Sequence, residues 1–159
     1  MKFKFKIQDY QTEAVNAVVK VFEGQAFNDR IAYLRDLGKQ TQNVQQTLDN
    51  LDEDYGSGFG NATIDLTDDT LLDNIRALQL ENNIKQSAAL SKPFGVGCRC
   101  ALDIEMETGT GKTYCYIKTM FELNKKYGWS KFIVVVPSIA IREGVKKSFE
   151  VMEDHFFEQ

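Results

Sequence analysis

Met106-Glu107-Thr108-Gly109-Thr110-Gly111-Lys112-Thr113 sets two glycines, a lysine and three threonine hydroxyls within eight residues. Consecutive backbone amides in such a turn point into a concavity that holds phosphate oxygens. A helix following it adds unpaired N–H groups and the positive end of its dipole. Thr108, Gly109, Thr110 and Gly111 would form the cradle, with glycine allowing the backbone to turn tightly and approach an anion without a Cβ. Lys112 supplies a mobile positive charge for terminal phosphates, and the Thr113 hydroxyl suits one position of a Mg²⁺ shell. The strict G-x-x-x-x-G-K-[ST] pattern is not met, because Met106 stands where its first glycine belongs.

The flanks supply the context such a loop requires. Residues 98–106 alternate apolar and polar side chains and predict a strand, and residues 112–126 predict a helix. After Gly128, the apolar run 131–136 predicts a second strand. Beyond Pro137, Ile141, Val145, Phe149 and Met152 fall at helical spacing. Strand, glycine turn, helix, strand, helix predicts an α/β fold: a parallel pair with a right-handed crossover and helices on both faces. Alternation in the first strand, with Asp103 and Glu105 on its second face, calls either for a polar cover there or for a strand that starts later, since a central parallel strand is normally apolar on both sides.

Upstream, Lys2-Phe3-Lys4-Phe5-Lys6-Ile7 has the period of a half-buried strand whose outer lysines guard an edge. From Asp9, read as an N-cap, Tyr10, Ala14, Val18 and Phe22 recur every four residues until Gly24, which predicts an amphipathic helix. Residues 25–49 show weaker helical spacing and become glutamine-rich; 51–60 read as an acidic, glycine-containing loop. Thr67 is placed to cap a helix carrying Leu71, Ile75 and Leu78 on one face and ending near Asn82-Asn83, and 91–97 form a turn-rich loop. No internal repeat is visible. The organisation is thus 1–24 (strand and helix), 25–97 (a polar, acidic, mainly helical and loop insert) and 98–159 (the β-turn-α-β-α unit).

Composition excludes several classes. The chain is 43% hydrophobic, but its longest apolar runs span about six residues against the roughly 20 needed to cross a bilayer, so a soluble, cytoplasmic protein without a membrane partner is expected. Cys98, Cys100 and Cys115 are an odd set without CxxC spacing, which supports neither a disulfide scaffold nor a zinc module. Cys115 reads as a small buried hydrophobe. His155 is the only histidine, which excludes multi-histidine metal sites within this chain, and no function is assigned to it. The net charge of −4 is uneven: residues 36–75 carry one lysine against nine acidic residues, while both flanks are slightly basic. Bulk charge therefore does not decide against nucleic acid.

The loop without a leading glycine resembles motif I of superfamily 2 helicases. Residues 102–124, with Tyr127-Gly128-Trp129-Ser130-Lys131-Phe132-Ile133-Val134-Val135-Val136-Pro137-Ser138-Ile139-Ala140-Ile141-Arg142-Glu143-Gly144-Val145, more closely resemble the Res subunit of type III restriction enzymes. The likeness is densest over 98–155, thinner over 1–24 and 71–90, and silent for the polar insert. It implies a RecA-like P-loop NTPase sheet, ATP and Mg²⁺ as ligands, and double-stranded DNA and a modification (methyltransferase) subunit as partners. Gln11 then corresponds to a glutamine whose amide reads adenine, for which its paired donor and acceptor are suited. Pro137, Ser138 and Arg142 fall on motif Ia, implying contact with the nucleic-acid backbone. Lys146, one turn beyond Arg142, adds charge. The same Pro-Ser junction also serves as a plain helix cap.

Hydrolysis in this family further needs an acidic Walker B motif, an arginine finger and, for cleavage, a nuclease centre; none is recognised here. Asp103-x-Glu105 precedes the loop and is no substitute for the acidic motif. The expectation is an N-terminal part of an ATP-dependent DNA translocase with endonuclease activity in the whole enzyme, this part binding nucleotide without turnover. Other classes stay open: another superfamily 2 helicase, a non-catalytic nucleotide- or partner-binding module acting through the acidic 36–75 segment, and a small-molecule kinase. For the kinase, the five arginines give little material for a lid.

Overall fold

A computed structural model describes residues 7–28, 61–93 and 98–157. Residues 2–6 of the expected edge strand, the segment 29–60 of the insert and residues 94–97 of the 91–97 loop lie outside the described residues.

The first helix, α1, runs over Asp9–Val21. Gln8 rather than Asp9 takes the cap position, in extended backbone with φ −104° and ψ 143°, and its side chain makes no capping bond. Asp9 instead sits in the first turn, where its carboxylate meets the positive end of the helix dipole. Apolar spacing turns Val15, Val19 and Val21 inward. At the end of α1 the Val19 and Lys20 carbonyls accept the N–H groups of Phe22 and Glu23, and Asn74 donates its amide to the Val21 carbonyl at 2.9 Å and, just past the helix, to that of Glu23 at 3.0 Å.

Asn74 belongs to α2, Asp68–Glu81. Its N-terminus is formed as the Thr67 signal predicts, the hydroxyl accepting from the Thr70 N–H at 3.1 Å. Leu71 is wholly buried, and Ile75 and Leu78 pack partly against the same cluster. The Asp68 carboxylate is bonded by Lys92 and lies 3.3 Å from Arg99. The Lys92 bond first, then the two positive charges, hold its carboxyl below the usual range.

The third helix, α3, covers Lys112–Tyr127 and stops at Gly128. One side of it, through Cys115, Leu123 and Tyr127, joins Val15, Val19, Phe22, Leu71 and Trp129 in the main core. Phe22 meets Trp129 edge-on at 4.9 Å between ring centres, and the Tyr127 hydroxyl donates to the Val19 carbonyl at 2.8 Å. The other side carries Tyr114 and Ile117 against Met152 and Phe156 of α4, Ile139–Phe157. Of the apolar positions read along α4, Met152 is buried, whereas Ile141 and Phe149 are exposed. Val145 is half-buried, and full burial begins only in the last turns.

The expected α/β fold with a parallel, RecA-like sheet is not what the structure shows. Among the described residues there are four helices and no strand, and the stretches 98–106 and 131–136, read as strands from alternation, are irregular. A strand exists only as part of a ladder, and here the backbone finds other partners. The Ala101 N–H donates to the Ser91 carbonyl at 2.8 Å. The side chain of Asn61 accepts from the Ser130 and Lys131 N–H groups, at 2.9 and 2.8 Å, and donates to the Lys131 carbonyl at 2.7 Å. Ile133 and Val135 are 92% and 88% exposed, the reverse of the burial that two-sided sheet packing requires. Asp103 and Glu105 are exposed as well, with no polar layer needed over them.

Candidate functional site

The turn 107–111 is built by two left-handed glycines, Gly109 at φ +83° and Gly111 at φ +86°. Gly111 is also the residue before α3, and no side chain caps that helix. The turn is closed on itself through one atom. The Glu107 carbonyl accepts from the Thr110 hydroxyl at 2.7 Å and from the Lys112 ammonium at 3.0 Å. Thr108, Gly109 and Lys112 are exposed; Thr110, Gly111 and Thr113 are half-buried.

Gln11 reaches this turn from α1, across nearly a hundred residues of sequence. Its amide donates to the Thr110 carbonyl at 3.0 Å and lies so close to Gly111 that a Cβ there would stand 2.6 Å from Nε2. The Tyr10 hydroxyl donates to the same carbonyl at 3.2 Å. The family resemblance points to Gln11, whereas the sequence gives Tyr10 a place in the helical repeat. A helical repeat shows which face a residue occupies, not what its hydroxyl meets.

The glycines differ in a measurable way. Alanine at Gly109 meets nothing within 4 Å and carries only the left-handed backbone strain, about 1–2 kcal/mol. Alanine at Gly111 carries the same strain and in addition displaces the Gln11 amide, adding about 1 kcal/mol for the lost bond. Urea unfolding should therefore place Gly111→Ala below Gly109→Ala in stability. Equal midpoints would mean that Gln11 does not rest on the turn.

Pro137, Ser138 and Arg142 stand apart from this cluster in their contacts. Ser138 accepts the Ile141 N–H at 3.3 Å and so caps α4, and its carbonyl accepts the Arg142 N–H at 3.0 Å. The Arg142 guanidinium bonds Glu143 at 3.0 Å. Tyr114, immediately after Thr113, ties the start of α3 to the end of α4: its hydroxyl lies 3.3 Å from His155 Nε2 and its ring stacks on Phe156. His155 thus has a packing role. Burial pushes the Cys115 thiol up, in keeping with a small hydrophobe rather than a thiolate.

An open groove of about 1030 Å³ runs between α1, α2 and residues 101–107. Glu13, Asp103, Glu105 and Glu107 line it, which makes it hostile to a polyanion. The turn itself carries the Lys112 ammonium and the positive end of the α3 dipole. No group of three or more His, Cys, Asp or Glu side chains suited to a metal occurs among the described residues, and none of their helices is long and apolar enough to cross a membrane.

A glycine turn opening an uncapped helix, with lysine at its first position and a distant glutamine laid over it, has the features of an anion-binding turn. The chain belongs to the family "Type III restriction enzyme, res subunit", whose model matches residues 4–158. It is 39% identical over 100 residues to the type III restriction-modification enzyme EcoP15I Res subunit of Escherichia coli, a match covering 62% of this chain and 10% of that protein. To the StyLTI Res subunit of Salmonella typhimurium it is 58% identical over 45 residues, covering 28% of this chain and 4% of the relative. The matches thus span a tenth or less of these relatives. The family implies a helicase domain.

Proposed function

We propose that this chain is a nucleotide-binding part of the motor of a type III restriction endonuclease Res subunit. ATP binds with its phosphates over residues 108–113 and its adenine against Gln11. The observation that carries this reading is the meeting of Gln11 and the Lys112 turn, two features that are far apart in sequence and that phosphate chemistry and base recognition would need side by side. Lys112 transfers its hydrogen bond from the Glu107 carbonyl to a phosphate oxygen, a stronger, anionic acceptor. The α3 amides take further oxygens, and the Thr113 hydroxyl supplies one ligand to Mg²⁺, an ion that otherwise keeps water and phosphate ligands.

In the whole enzyme, bound ATP supplies the free energy for movement along double-stranded DNA. Cleavage and a modification subunit belong to that larger assembly, acting in the cytoplasm without a membrane. Residues 137–142 contact the DNA backbone: Arg142 exchanges the exposed Glu143 carboxylate for phosphate, and Ser138 holds the helix end in place. The segments 1–24, 25–97 and 98–159 keep the roles of adenine helix, insert and phosphate unit. Calorimetric titration of the 159-residue chain with ATP and Mg²⁺ tests the central claim. Saturable binding displaced by inorganic tripolyphosphate, without release of phosphate, is expected. Absence of binding at millimolar ATP overturns it.

A further inference from the structure

We infer that Tyr10 is a positioning residue for phosphate binding: with Gln11 it holds the Thr110–Gly111 peptide in the orientation that keeps its carbonyl on α1 and its N–H on the opposite side, for an anion. This rests on the reading of residues 108–113 as a phosphate turn. The carbonyl of that peptide takes two donors from consecutive residues of one helix, the Tyr10 hydroxyl at 3.2 Å and the Gln11 amide at 3.0 Å. A carbonyl oxygen has two lone pairs, so both fit. In a planar trans peptide the C=O and N–H point in opposite directions, and a carbonyl drawn to α1 therefore puts the Gly111 N–H on the far side. Gln11 keeps its second N–H and its own carbonyl oxygen for a base while it does this.

That orientation needs holding because a glycine forms the joint. The chain on either side is fixed by other bonds: the Glu107 carbonyl accepts from the Thr110 hydroxyl at 2.7 Å, and the Gly111 carbonyl accepts the Cys115 N–H at 3.0 Å. Between them, Gly111 has no Cβ to oppose a half-turn of the peptide plane, which would carry it from φ +86° to the negative φ open to any residue. The half-turn exchanges the N–H for the carbonyl oxygen, and a carbonyl dipole aimed at a phosphate repels it. The Tyr10 and Gln11 bonds exist in only one of the two orientations. Tyr10 is half-exposed on the first turn of α1, so its hydroxyl can be removed without opening the core.

The test titrates inorganic tripolyphosphate and ATP, each with Mg²⁺, into the 159-residue chain and its Tyr10→Phe, Gln11→Ala and doubly substituted forms. Tyr10→Phe alone is expected to weaken both ligands by one and the same factor, at most about threefold, because Gln11 still holds the plane. On the Gln11→Ala background the same change is expected to weaken tripolyphosphate about tenfold, because the carbonyl then has neither donor. The three-bond coupling between the amide and α protons of Gly111, which reads φ, should keep its parent value in each single variant and move toward an average of two orientations in the double one. A merely structural tyrosine would leave that coupling alone and lower the urea midpoint instead. A doubly substituted chain that keeps the parent's affinity for tripolyphosphate overturns the inference, as does one that loses affinity for ATP alone. A parent chain that does not bind tripolyphosphate overturns the phosphate reading on which the inference stands.

Discussion

Lys112→Ala is expected to lower the affinity of the chain for both ATP and tripolyphosphate by about a hundredfold, the equivalent of about 3 kcal/mol for a charge-assisted contact. The expected effect is large because little else nearby is positive. Glu107 is part of the turn itself, and Glu13, Asp103 and Glu105 line the adjoining groove. Without the ammonium, the α3 amides face a triphosphate beside a net negative surface. Stability should barely move. Lys112 is the first residue of α3 and exposed, so its charge opposes the helix dipole, an arrangement that costs a few tenths of a kcal/mol. Alanine relieves that cost but gives up the exposed bond to the Glu107 carbonyl, which keeps the Thr110 hydroxyl, so thermal unfolding without ligand should occur at nearly the same temperature. Titration calorimetry and a melting curve on one preparation check both halves. Unchanged ATP affinity in the variant would remove phosphate binding from this turn.

The glycine turn was legible in sequence when much of the fold was not, because its signal is local. Glycines, lysine and hydroxyls in close order carry their chemistry within eight residues, and the left-handed angles of Gly109 and Gly111 are what only glycine adopts without strain. Thr67 and the Leu71, Ile75, Leu78 face were equally local signals, and α2 forms where they place it. The strands were a different kind of inference. Alternation in 98–106 and 131–136 reports how side chains are distributed about an extended backbone and carries no information on whether another backbone lies alongside. Burial shows the difference: Ile133 and Val135 are apolar and still exposed. The Asn61 amide, which takes the hydrogen bonds of residues 130–131 in place of a ladder, has no sequence signature linking it to them. Gln11 lies between the two cases. The family resemblance pointed to its role, but its contact with Thr110 depends on α1 crossing α3, and nothing in its own neighbourhood encodes that crossing.

The crossing is held by Tyr127, and Tyr127→Ala is expected to destabilise the chain by about 3–5 kcal/mol, the range for emptying a buried aromatic position. The side chain is only 1% exposed, its ring lies 5.2 Å from Trp129 and 6.3 Å from Phe22, and its hydroxyl reaches the Val19 carbonyl of α1. Burial pushes its phenol above the ordinary value, so it remains a protonated donor through neutral pH. Tyr127→Phe separates the two contributions. Val19 keeps a second donor, the Phe22 N–H at 3.2 Å, so removing the hydroxyl alone should cost only about 1 kcal/mol. Against a total stability of about 5–15 kcal/mol for a small domain, the alanine variant sits near the edge of cooperative folding and the phenylalanine variant does not. Urea denaturation followed by Trp129 fluorescence reads both, since that indole is part of the same cluster. A loss below about 1 kcal/mol for Tyr127→Ala would mean that α1 is anchored elsewhere. If the loss is as large as expected, the variant should also lose its preference for ATP over tripolyphosphate first, because Gln11 reaches the turn only while α1 stays seated on α3.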